Sequence, residues 1–552
     1  MPTSKSSSPF PLLVTSYPAP FTEWRWQGDP SRLARTTEAQ RQFLLQLDHP
    51  LWAVTHEGSL ALTTETALLP AGQADPGAAT ILAYAPPLPA EALGDPGFRD
   101  LFGLRYAYYA GAMAGGIASE ELVIALGKNG FMGIFGAAGL LPARVEQAIH
   151  RIREALPQGP YGFNLIFSPN EPALEERTTD LYLKHGIRTI EASAYVDLTL
   201  NLVRYRLAGL TQTPQGRIVA QNRIIAKISR REVAQRFMQP APADLVAQLL
   251  QSGQISPTQA NLAQYVPMAD AITVEADSGG HTDNRPLVGL IPTMLTLRDR
   301  IQAQYSYSQP VFVGAAGGIG TPEAALAAFT MGAAYIVTGS VNQSCVEAGT
   351  SAHVKRLLAQ ADMADVMMAP AADMFEMGVK VQLLKRGTLF PMRAQRLYEL
   401  YTRFPSLEAI PPEEREKLER QIFKRDLESI WQETVQYFQE RDPRQIERAQ
   451  RDPHQKMALV FRWYLGLSSR WANRGEPGRE MDYQIWCGPA MGAFNAWVQG
   501  SYLEAPENRH VADVALHLMT GCAYLARTHI LALQGVRLAP DLRRYRPQQP
   551  ML

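Results

Sequence analysis

The chain has 552 residues, more than one hydrophobic core of ordinary size accommodates, so we expect two or more structural units. Its 53 basic and 53 acidic side chains balance, which excludes a global electrostatic attraction to nucleic acid or to an anionic membrane. Hydrophobic content of 46% and charged content of 19% are typical of a folded protein. Cys345, Cys487 and Cys522 lie far apart, which excludes a disulfide framework and predicts buried thiols in a reducing cytoplasm.

Residues 1–100 predict a small β-containing unit, an N-terminal capping domain. The leader MPTSKSSSPFPLLVTSYPAP has only a short apolar stretch broken by prolines, which is too short for a secretory signal. The β-like runs LWAVTHEGSLALTT and ATILAYAP follow it.

From residue 101 to residue 374, short apolar runs alternate with amphipathic segments, the pattern of repeated βα units around a parallel sheet. The predicted strands are YAGAMA, GFMGIFG, YGFNLIF, TIEASAY, RIIAKIS, AITVEAD, PVFVGAA and AYIVTG. Eight strands predict an α/β fold of the (β/α)8 TIM barrel type, with a doubly wound open sheet as the alternative. The apolar stretch that begins at PVFVG contains glycines, Pro322 and Glu323, so we predict a buried strand–helix–strand unit there and no membrane segment.

After residue 375 the β-like runs stop, and residues 375–535 predict a C-terminal α-helical domain followed by a tail, 536–552. The segment PPEEREKLERQIFKRDLESIWQETVQYFQER predicts one amphipathic helix. Further predicted helices lie in HQKMALVFRWYLGLSSRWAN, PAMGAFNAWVQGSYL and VADVALHLMTGCAYLARTHILALQG.

Two loops at the predicted barrel mouth suit a phosphate group. The loops that follow strands seven and eight bind phosphate in many barrels of this type. Here Gly317 and Gly318 follow strand seven and precede a helix start at Thr321, and Gly339 and Ser340 follow strand eight. The pattern predicts a phosphorylated ring compound lying across the barrel mouth.

Polar side chains end several other predicted strands, namely Asn164, Glu191, Lys227, Glu275 and, beyond Glu275, His281. A lysine in this position can hold phosphate or balance the negative charge of a reduced flavin, although a solvated lysine fits the spacing equally well.

These motifs resemble two groups of flavin-dependent barrel enzymes, the nitronate monooxygenases and the FMN-type enoyl-acyl-carrier-protein reductases. The matching pieces are AMAGGIAS, GFNLI, EADSGGH and GAAGGIGTPEAALAAFTMGAAYIVTGS. The strings EADSGGHTDNRP, FEMGVKVQLLKRGTLFPMRAQRLYELY and KMALVFRWYLGLSSRWAN resemble the PfaD family, the trans-acting enoyl reductases of polyunsaturated-fatty-acid and polyketide synthases. The likeness covers residues 15–535.

This resemblance implies bound FMN, NADPH as reductant and an α,β-unsaturated thioester on an acyl carrier protein. It implies that His281 is the acid or the thioester-oxygen donor, with Lys227 next in line. The residues that it assigns to the cofactor are Met113, Asn164, Lys227, Gly279, Gly280, Gly317, Gly318, Gly339 and Ser340. One departure stands out, because Asp277 and Ser278 lengthen the usual Glu-Ala-Gly-Gly-His loop by two residues.

Two other functions stay open, a nitronate monooxygenase-type flavin oxidase and a non-catalytic docking subunit of a megasynthase. The entry to the helical domain carries a basic patch, formed by Lys380, Lys385, Arg386, Arg393 and Arg396, that an acidic carrier protein could contact. A large apolar helical domain also makes a homodimer plausible.

Overall fold

A computed structural model describes residues 21–169 and 172–552 of the chain, and the predicted leader lies outside these described residues. The chain forms two compact units. Among the described residues, the first unit comprises residues 21–90 and 521–545, and the second comprises residues 91–169, 172–520 and 546–552. The segment 521–545 therefore belongs to the N-terminal unit. The boundaries predicted from the sequence divide this segment between the helical domain and the C-terminal tail.

The first unit is built on a five-stranded antiparallel sheet. In spatial order its strands are Ser59–Thr63, Leu51–His56, Ala79–Ala85, Trp24–Trp26 and Leu68–Pro70. Its helices are Thr37–Leu45 and the part of Val511–Leu533 that begins at residue 521. Trp26, Val54 and Ile81 are buried in its core, as the alternation of apolar residues along the strands requires.

A buried arginine fastens the helix Val511–Leu533 to the chain around residue 45. The Arg527 guanidinium donates hydrogen bonds to the backbone carbonyls of Gln46, Leu47 and His49. Because a buried charge needs several acceptors, this carbonyl cluster explains how an arginine is tolerated inside the first unit.

The second unit contains a closed barrel of eight parallel strands, which confirms the predicted TIM barrel and excludes the doubly wound sheet. In chain order these strands are Tyr108–Ala110, Met132–Phe135, Tyr161–Ile166, Thr189–Ser193, Arg223–Ile228, Ala271–Glu275, Phe312–Ala316 and Ile336–Thr338. The last strand pairs with the first, with Ile336 opposite Tyr108, and this pairing closes the barrel.

Helices follow the strands. They are Glu120–Lys128, Pro142–Ala155, Pro172–Lys184, Leu200–Ala208, Arg231–Met238, Ala243–Gln251, Pro257–Leu262, Leu287–Tyr305, Pro322–Thr330, Ser340–Gln343 and Ala352–Ala359. A short hairpin, Leu210–Gln212 with Ile218–Ala220, precedes the fifth strand. The helix that begins at Pro322 has the predicted start, since the Thr321 hydroxyl accepts a hydrogen bond from the amide of Ala324.

A second, smaller sheet follows the barrel along the chain and corrects the expectation that β structure ends at residue 375. Val366–Pro370 pairs with Lys380–Leu384, which in turn pairs with Gly280–His281. Four of the five residues of Lys380–Leu384 are buried, including the polar Gln382, so burial along this strand does not follow the polarity of its residues.

The remaining residues of the second unit are mainly helical. The longer helices are Phe390–Arg403, Pro412–Lys417, Leu427–Arg441, Pro443–Arg451, Pro453–Arg474 and Ala490–Val498. The predicted single helix over residues 411–441 is wrong. A π-helical turn, Leu418–Phe423, and a left-handed residue, Lys424, interrupt it, and Asp426 caps the helix that follows.

No helix within the described ranges has the length and apolar character needed to cross a membrane. All three cysteines are buried and unpaired, as the sequence predicted. Burial raises the pKa of the Cys487 thiol to about 12, so this thiol is chemically inert at neutral pH.

Candidate active site

A cleft opens at the carboxyl ends of the barrel strands and encloses about 620 Å³, including its open mouth. The residues that line it include Gly111, Ala112, Met113, Lys227, Glu275, Ser278, Gly279, Gly317, Gly318, Thr338, Gly339, Ser340, Gln343, Trp486, Gly488 and Ala490. This is the face on which barrels of this type carry out their chemistry.

The two glycine loops form one wall of the cleft. Gly317 and Gly318 both have left-handed backbone, with φ of +85° and +73°. A Cβ at Gly318 or at Gly339 would meet no described atom within 4 Å, so both backbone faces are open. Backbone of this kind lets an anion approach the N–H groups closely, which suits a phosphate group.

Small residues form a second wall beside the first strand. The carbonyl oxygen of Met113 lies 1.7 Å from where a Cβ of residue 136 would be, so only glycine fits at that position. At Gly111 a Cβ would come within 3.2 Å of Val337. Gly111, Ala112 and Met113 all line the cleft, so this wall offers mainly small residues against which a flat ring could pack.

One lysine and two carboxylates lie at the base of the cleft. Lys227 Nζ is 3.4 Å from Glu275 Oε1 and 3.9 Å from Glu191 Oε1. The Glu191 side chain is fully buried, accepts a hydrogen bond from the Tyr109 hydroxyl at 3.1 Å and receives the Ala112 amide at 3.3 Å. Lys227 is thus shared by two carboxylates. The three side chains together carry a net negative charge when both carboxylates are ionised.

The pKa values of these groups follow from that sharing. Burial opposes the charged form of Lys227, but Glu275 and Glu191 outweigh it and raise its pKa to about 12. Burial raises the pKa of Glu191, and the nearby Glu275 carboxylate adds to the rise, while Lys227 lowers it. Lys227 is therefore a permanent cation at neutral pH, and Glu191 takes a proton more readily than an exposed glutamate does.

Asn164 lies beneath the cleft and is absent from its lining. Its side-chain amide donates to the Glu191 carbonyl at 3.1 Å and to the Ser193 hydroxyl at 2.9 Å. These hydrogen bonds connect Asn164 to the fourth barrel strand. In the structure Asn164 therefore supports the barrel, and it does not line the cleft in which a cofactor contact was predicted.

The longer loop between Glu275 and His281 is firmly held. The Gln382 side-chain amide donates to Asp277 Oδ1 at 2.7 Å and to the Ser278 carbonyl at 2.8 Å. Asn284 donates to Asp277 Oδ1 at 2.9 Å and to Gln382 Oε1 at 3.0 Å. The two additional residues, Asp277 and Ser278, are thus fixed by a glutamine that lies about a hundred positions further along the chain.

His281 lies at the end of that loop, outside the cleft lining. It pairs with Val381 across the small sheet, and its Nε2 is 3.2 Å from Asp373 Oδ1. Burial opposes the imidazolium, but the Asp373 carboxylate outweighs it and Glu275 adds to the effect, so the pKa of His281 is raised. The imidazole is about one-third exposed, and His281 follows the cleft-lining Gly279 by two residues, which puts it beside the cleft.

The segment 486–490 contributes a wall that sequence reasoning missed. Trp486, Gly488 and Ala490 line the cleft, and the Gly488 amide donates to the Ser340 hydroxyl at 3.0 Å. A Cβ at Gly279 would meet the Cys487 backbone at 2.9 Å, and a Cβ at Gly488 would meet the Gly279 amide at 2.7 Å. The glycines in WCGPAMG were the available signal for this close approach.

The predicted basic patch is largely paired with acids. Arg393 contacts the buried Asp482, and Arg396 lies 2.5 Å from Glu414. Arg386 lies 3.3 Å from Asp365. Lys380 and Lys385 are exposed, so the positive charge that this segment offers a partner is smaller than the sequence suggests.

The structure thus brings together Met113, Lys227, Gly279, Gly317, Gly318, Gly339 and Ser340 in one cleft. Of the other predicted residues, Gly280 and His281 belong to the adjacent strand and Asn164 lies below. A glycine-lined cleft with a central lysine, at the carboxyl ends of a closed barrel, is the architecture of a cofactor-dependent (β/α)8 barrel enzyme.

Comparison with known families agrees with this architecture. The profile of the nitronate monooxygenase family matches residues 98–403. The profile of the fatty acid synthase subunit PfaD N-terminal domain matches residues 26–87, and that of the inserted helical domain of [acyl-carrier-protein] S-malonyltransferase matches residues 404–483.

The enoyl reductase domain of MlnA, from the macrolactin biosynthesis cluster of Bacillus amyloliquefaciens, has a similar crystal structure. It is 41% identical with a TM-score of 0.76, and the match covers 81% of this chain and 99% of that domain. One polypeptide of the polyunsaturated fatty acid synthase of Thraustochytrium is 48% identical over 497 residues, covering 88% of this chain and 32% of that polypeptide. The polyketide biosynthesis protein PksE of Bacillus subtilis is 48% identical, with 79% of this chain and 57% of that protein covered.

The chain therefore belongs to the PfaD and MlnA enoyl reductase family, within the larger nitronate monooxygenase family of barrels. It spans about a third of the length of the Thraustochytrium synthase polypeptide and a little over half that of PksE.

Proposed function

We propose that this chain is an FMN-dependent enoyl reductase that acts in trans, reducing α,β-unsaturated thioesters on an acyl carrier protein at the expense of NADPH. The observation that carries the proposal is the cleft itself, which combines open glycine backbone at Gly318 and Gly339 with the buried cation of Lys227. Its family membership agrees, because the enoyl reductase domain of MlnA is a relative over nearly its whole length.

The residues present fit a flavin mononucleotide. The amides of Gly317, Gly318, Gly339 and Ser340 would hold its phosphate, and the surface at Ala112 and Met113 would carry its ring. FMN held there would supply the hydride-transfer chemistry that links NADPH to the β-carbon of the thioester. Lys227 is the group that would balance negative charge on the reduced ring, since its pKa of about 12 keeps it protonated.

The protein must also deliver a proton to the α-carbon and stabilise the thioester oxygen. We assign both tasks to His281. Asp373 raises its pKa, and an imidazolium can donate a hydrogen bond to the thioester oxygen or a proton to the α-carbon. The electrostatic interaction of His281 with Glu275 and Lys227, which both line the cleft, supports this assignment.

The thioester carrier would be an acyl carrier protein of a polyketide or fatty acid synthase. Support comes from the relatives, which are parts of a polyunsaturated fatty acid synthase and of polyketide pathways. The exposed Lys380 and Lys385 would be contacts for its acidic surface, with Arg386, Arg393 and Arg396 occupied by carboxylates of this chain.

The decisive experiment follows NADPH oxidation by FMN-loaded protein, with and without a crotonyl thioester on a carrier protein. We expect oxidation that depends on the enoyl thioester, and no acceleration by the thioester would overturn the proposal. The nitronate oxidase alternative, which the family profile over residues 98–403 favours, predicts instead that nitronate reduces the flavin and consumes oxygen. A docking subunit would stay colourless after FMN is added.

The His281→Ala variant gives a narrower test. It should retain FMN and its reduction by NADPH, while turnover of the enoyl thioester slows by roughly 10²-fold or more, as is usual when acid–base help is lost. Unchanged turnover would move the proton-donating part to Lys227 or to water.

A further inference from the structure

A group of metal-ligand side chains lies on the barrel helices, away from the cleft. Among the described residues, Glu146, His150 and His185 form the one set of three in which every ligand atom lies within 4.8 Å of the others. Glu146 and His150 are four positions apart on the helix Pro142–Ala155, so they share a face. His185 follows the helix Pro172–Lys184 directly, so the set bridges two neighbouring helices.

The present contacts show how close this set already is. His185 Nε2 lies 2.7 Å from Glu146 Oε1, and the His150 and His185 rings meet edge to face, with centroids 5.1 Å apart. Zinc is held by imidazole and carboxylate ligands at about 2.0–2.2 Å, which spaces the ligand atoms by roughly 3.3 Å in a tetrahedral site. Side-chain movements of about one or two ångströms would therefore complete the site.

We propose that Glu146, His150 and His185 bind a divalent cation of the zinc class, with water as the fourth ligand. Two imidazoles and one carboxylate are a ligand set that zinc and its neighbours prefer over calcium or magnesium, which take mainly oxygen. The three cysteines are buried elsewhere, so no thiolate competes for the metal at this surface.

Lys184 would compete with a metal ion for the Glu146 carboxylate. Its Nζ lies 2.9 Å from Glu146 Oε1, the oxygen that also contacts His185. A bound cation would displace the ammonium or take the second carboxylate oxygen, so Lys184 sets the affinity without being a ligand.

The location indicates a structural part for the metal. In this fold the helices run opposite to the strands, so a helix ends near the start of the next strand. His185 is followed by the strand Thr189–Ser193, which puts the cation at the end of the barrel opposite the cleft. Metal would fasten the helix Pro142–Ala155 to Pro172–Lys184 and stabilise the barrel.

Calorimetric titration of the 552-residue chain, treated first with a chelator, with zinc chloride tests this inference, together with the melting temperature at each zinc concentration. We expect one saturable zinc per chain and a rising Tm. His150→Asn and Glu146→Gln should each weaken binding at least about tenfold, as loss of a ligand costs no less than loss of a supporting partner.

Two further variants sharpen the result. Lys184→Met should bind zinc more tightly than the parent, because the competing ammonium is gone. His529→Asn, which alters an exposed histidine far along the sequence, should bind zinc as the parent does. The inference is overturned if zinc binding is absent, or if His150→Asn binds as tightly as the parent.

Discussion

His281 Nε2 and Asp373 Oδ1 lie 3.2 Å apart, although 92 positions separate the two residues in the chain. The carboxylate raises the pKa of His281 against the effect of burial, and the imidazole in turn lowers the pKa of Asp373. The pair therefore favours the imidazolium, the form that a proton donor to the α-carbon requires. Asp373 lies outside the cleft lining, so in the proposed mechanism it would act through His281 as a positioning residue.

Replacing Asp373 should change the pH dependence of turnover. In Asp373→Asn the pKa of His281 falls, so the imidazolium is lost at lower pH and the alkaline limb of kcat/KM for the enoyl thioester moves to lower pH. Full pH profiles of the parent and the variant measure this shift. Asp373→Glu should restore part of the alkaline limb, and an alkaline limb that does not move in Asp373→Asn would contradict the pairing.

The two glycine loops should respond differently to a methyl group. Gly339 has negative φ and open space for a Cβ, so Gly339→Ala should fold normally yet bind FMN at least about tenfold more weakly, because the methyl occupies phosphate space. Gly317→Ala combines φ of +85° with a Cβ 2.7 Å from the Ala276 carbonyl carbon, so it should lower Tm. Flavin fluorescence titrations and thermal melts of both apoproteins distinguish the two effects. Equal FMN affinity in Gly339→Ala and the parent would remove this loop from the phosphate site.

Removing the shared cation should destabilise the protein more at high pH than at low pH. The pKa of Glu191 is already raised, so the stability that it contributes is present at low pH and is lost as pH rises through its folded-state value. In Lys227→Met that pKa rises further, and the buried carboxylate loses its partner at a cost of about 3 kcal/mol or more.

We therefore expect the Tm deficit of Lys227→Met to be larger near about pH 8 than near about pH 5.5. Thermal melts across this range check it, with Lys385→Met as a control for loss of an exposed lysine. A deficit that is constant with pH would contradict the sharing of Lys227 by Glu191 and Glu275.

Gln382 should matter to catalysis although it touches no reacting group. Gln382→Ala removes the hydrogen bonds to Asp277 and to the Ser278 carbonyl, and leaves Asn284 as the remaining donor to Asp277, at a cost of about 1–3 kcal/mol. With the loop loosened, turnover of the enoyl thioester should fall while FMN stays bound. Gln432→Ala, on an exposed helix face, is the matched control. Normal turnover in Gln382→Ala would show that the loop holds His281 without this bond.

The barrel was predictable because each strand is a short apolar run and each glycine loop follows its strand directly, so the signal is local. All eight predicted strands are present, and seven predicted site residues line the cleft. The sequence did not predict Asp373, Gln382 and Trp486 as site residues. Each lies at the site through contacts with residues that are distant in the chain, and no local sequence pattern marks such contacts. The break at Lys424 was missed because its left-handed backbone interrupts an otherwise continuous helical spacing.

The contact between Gly279 and Gly488 limits how this protein can change. At most packed positions a larger side chain is accommodated when its neighbour becomes smaller, so that the total volume of the two side chains is kept. Here backbone meets backbone on both sides, and neither residue has a side chain left to shorten. The loop between Glu275 and His281 and the segment 486–490 can therefore change only together. A chimera that takes one of these two segments from a relative should take the other from the same relative.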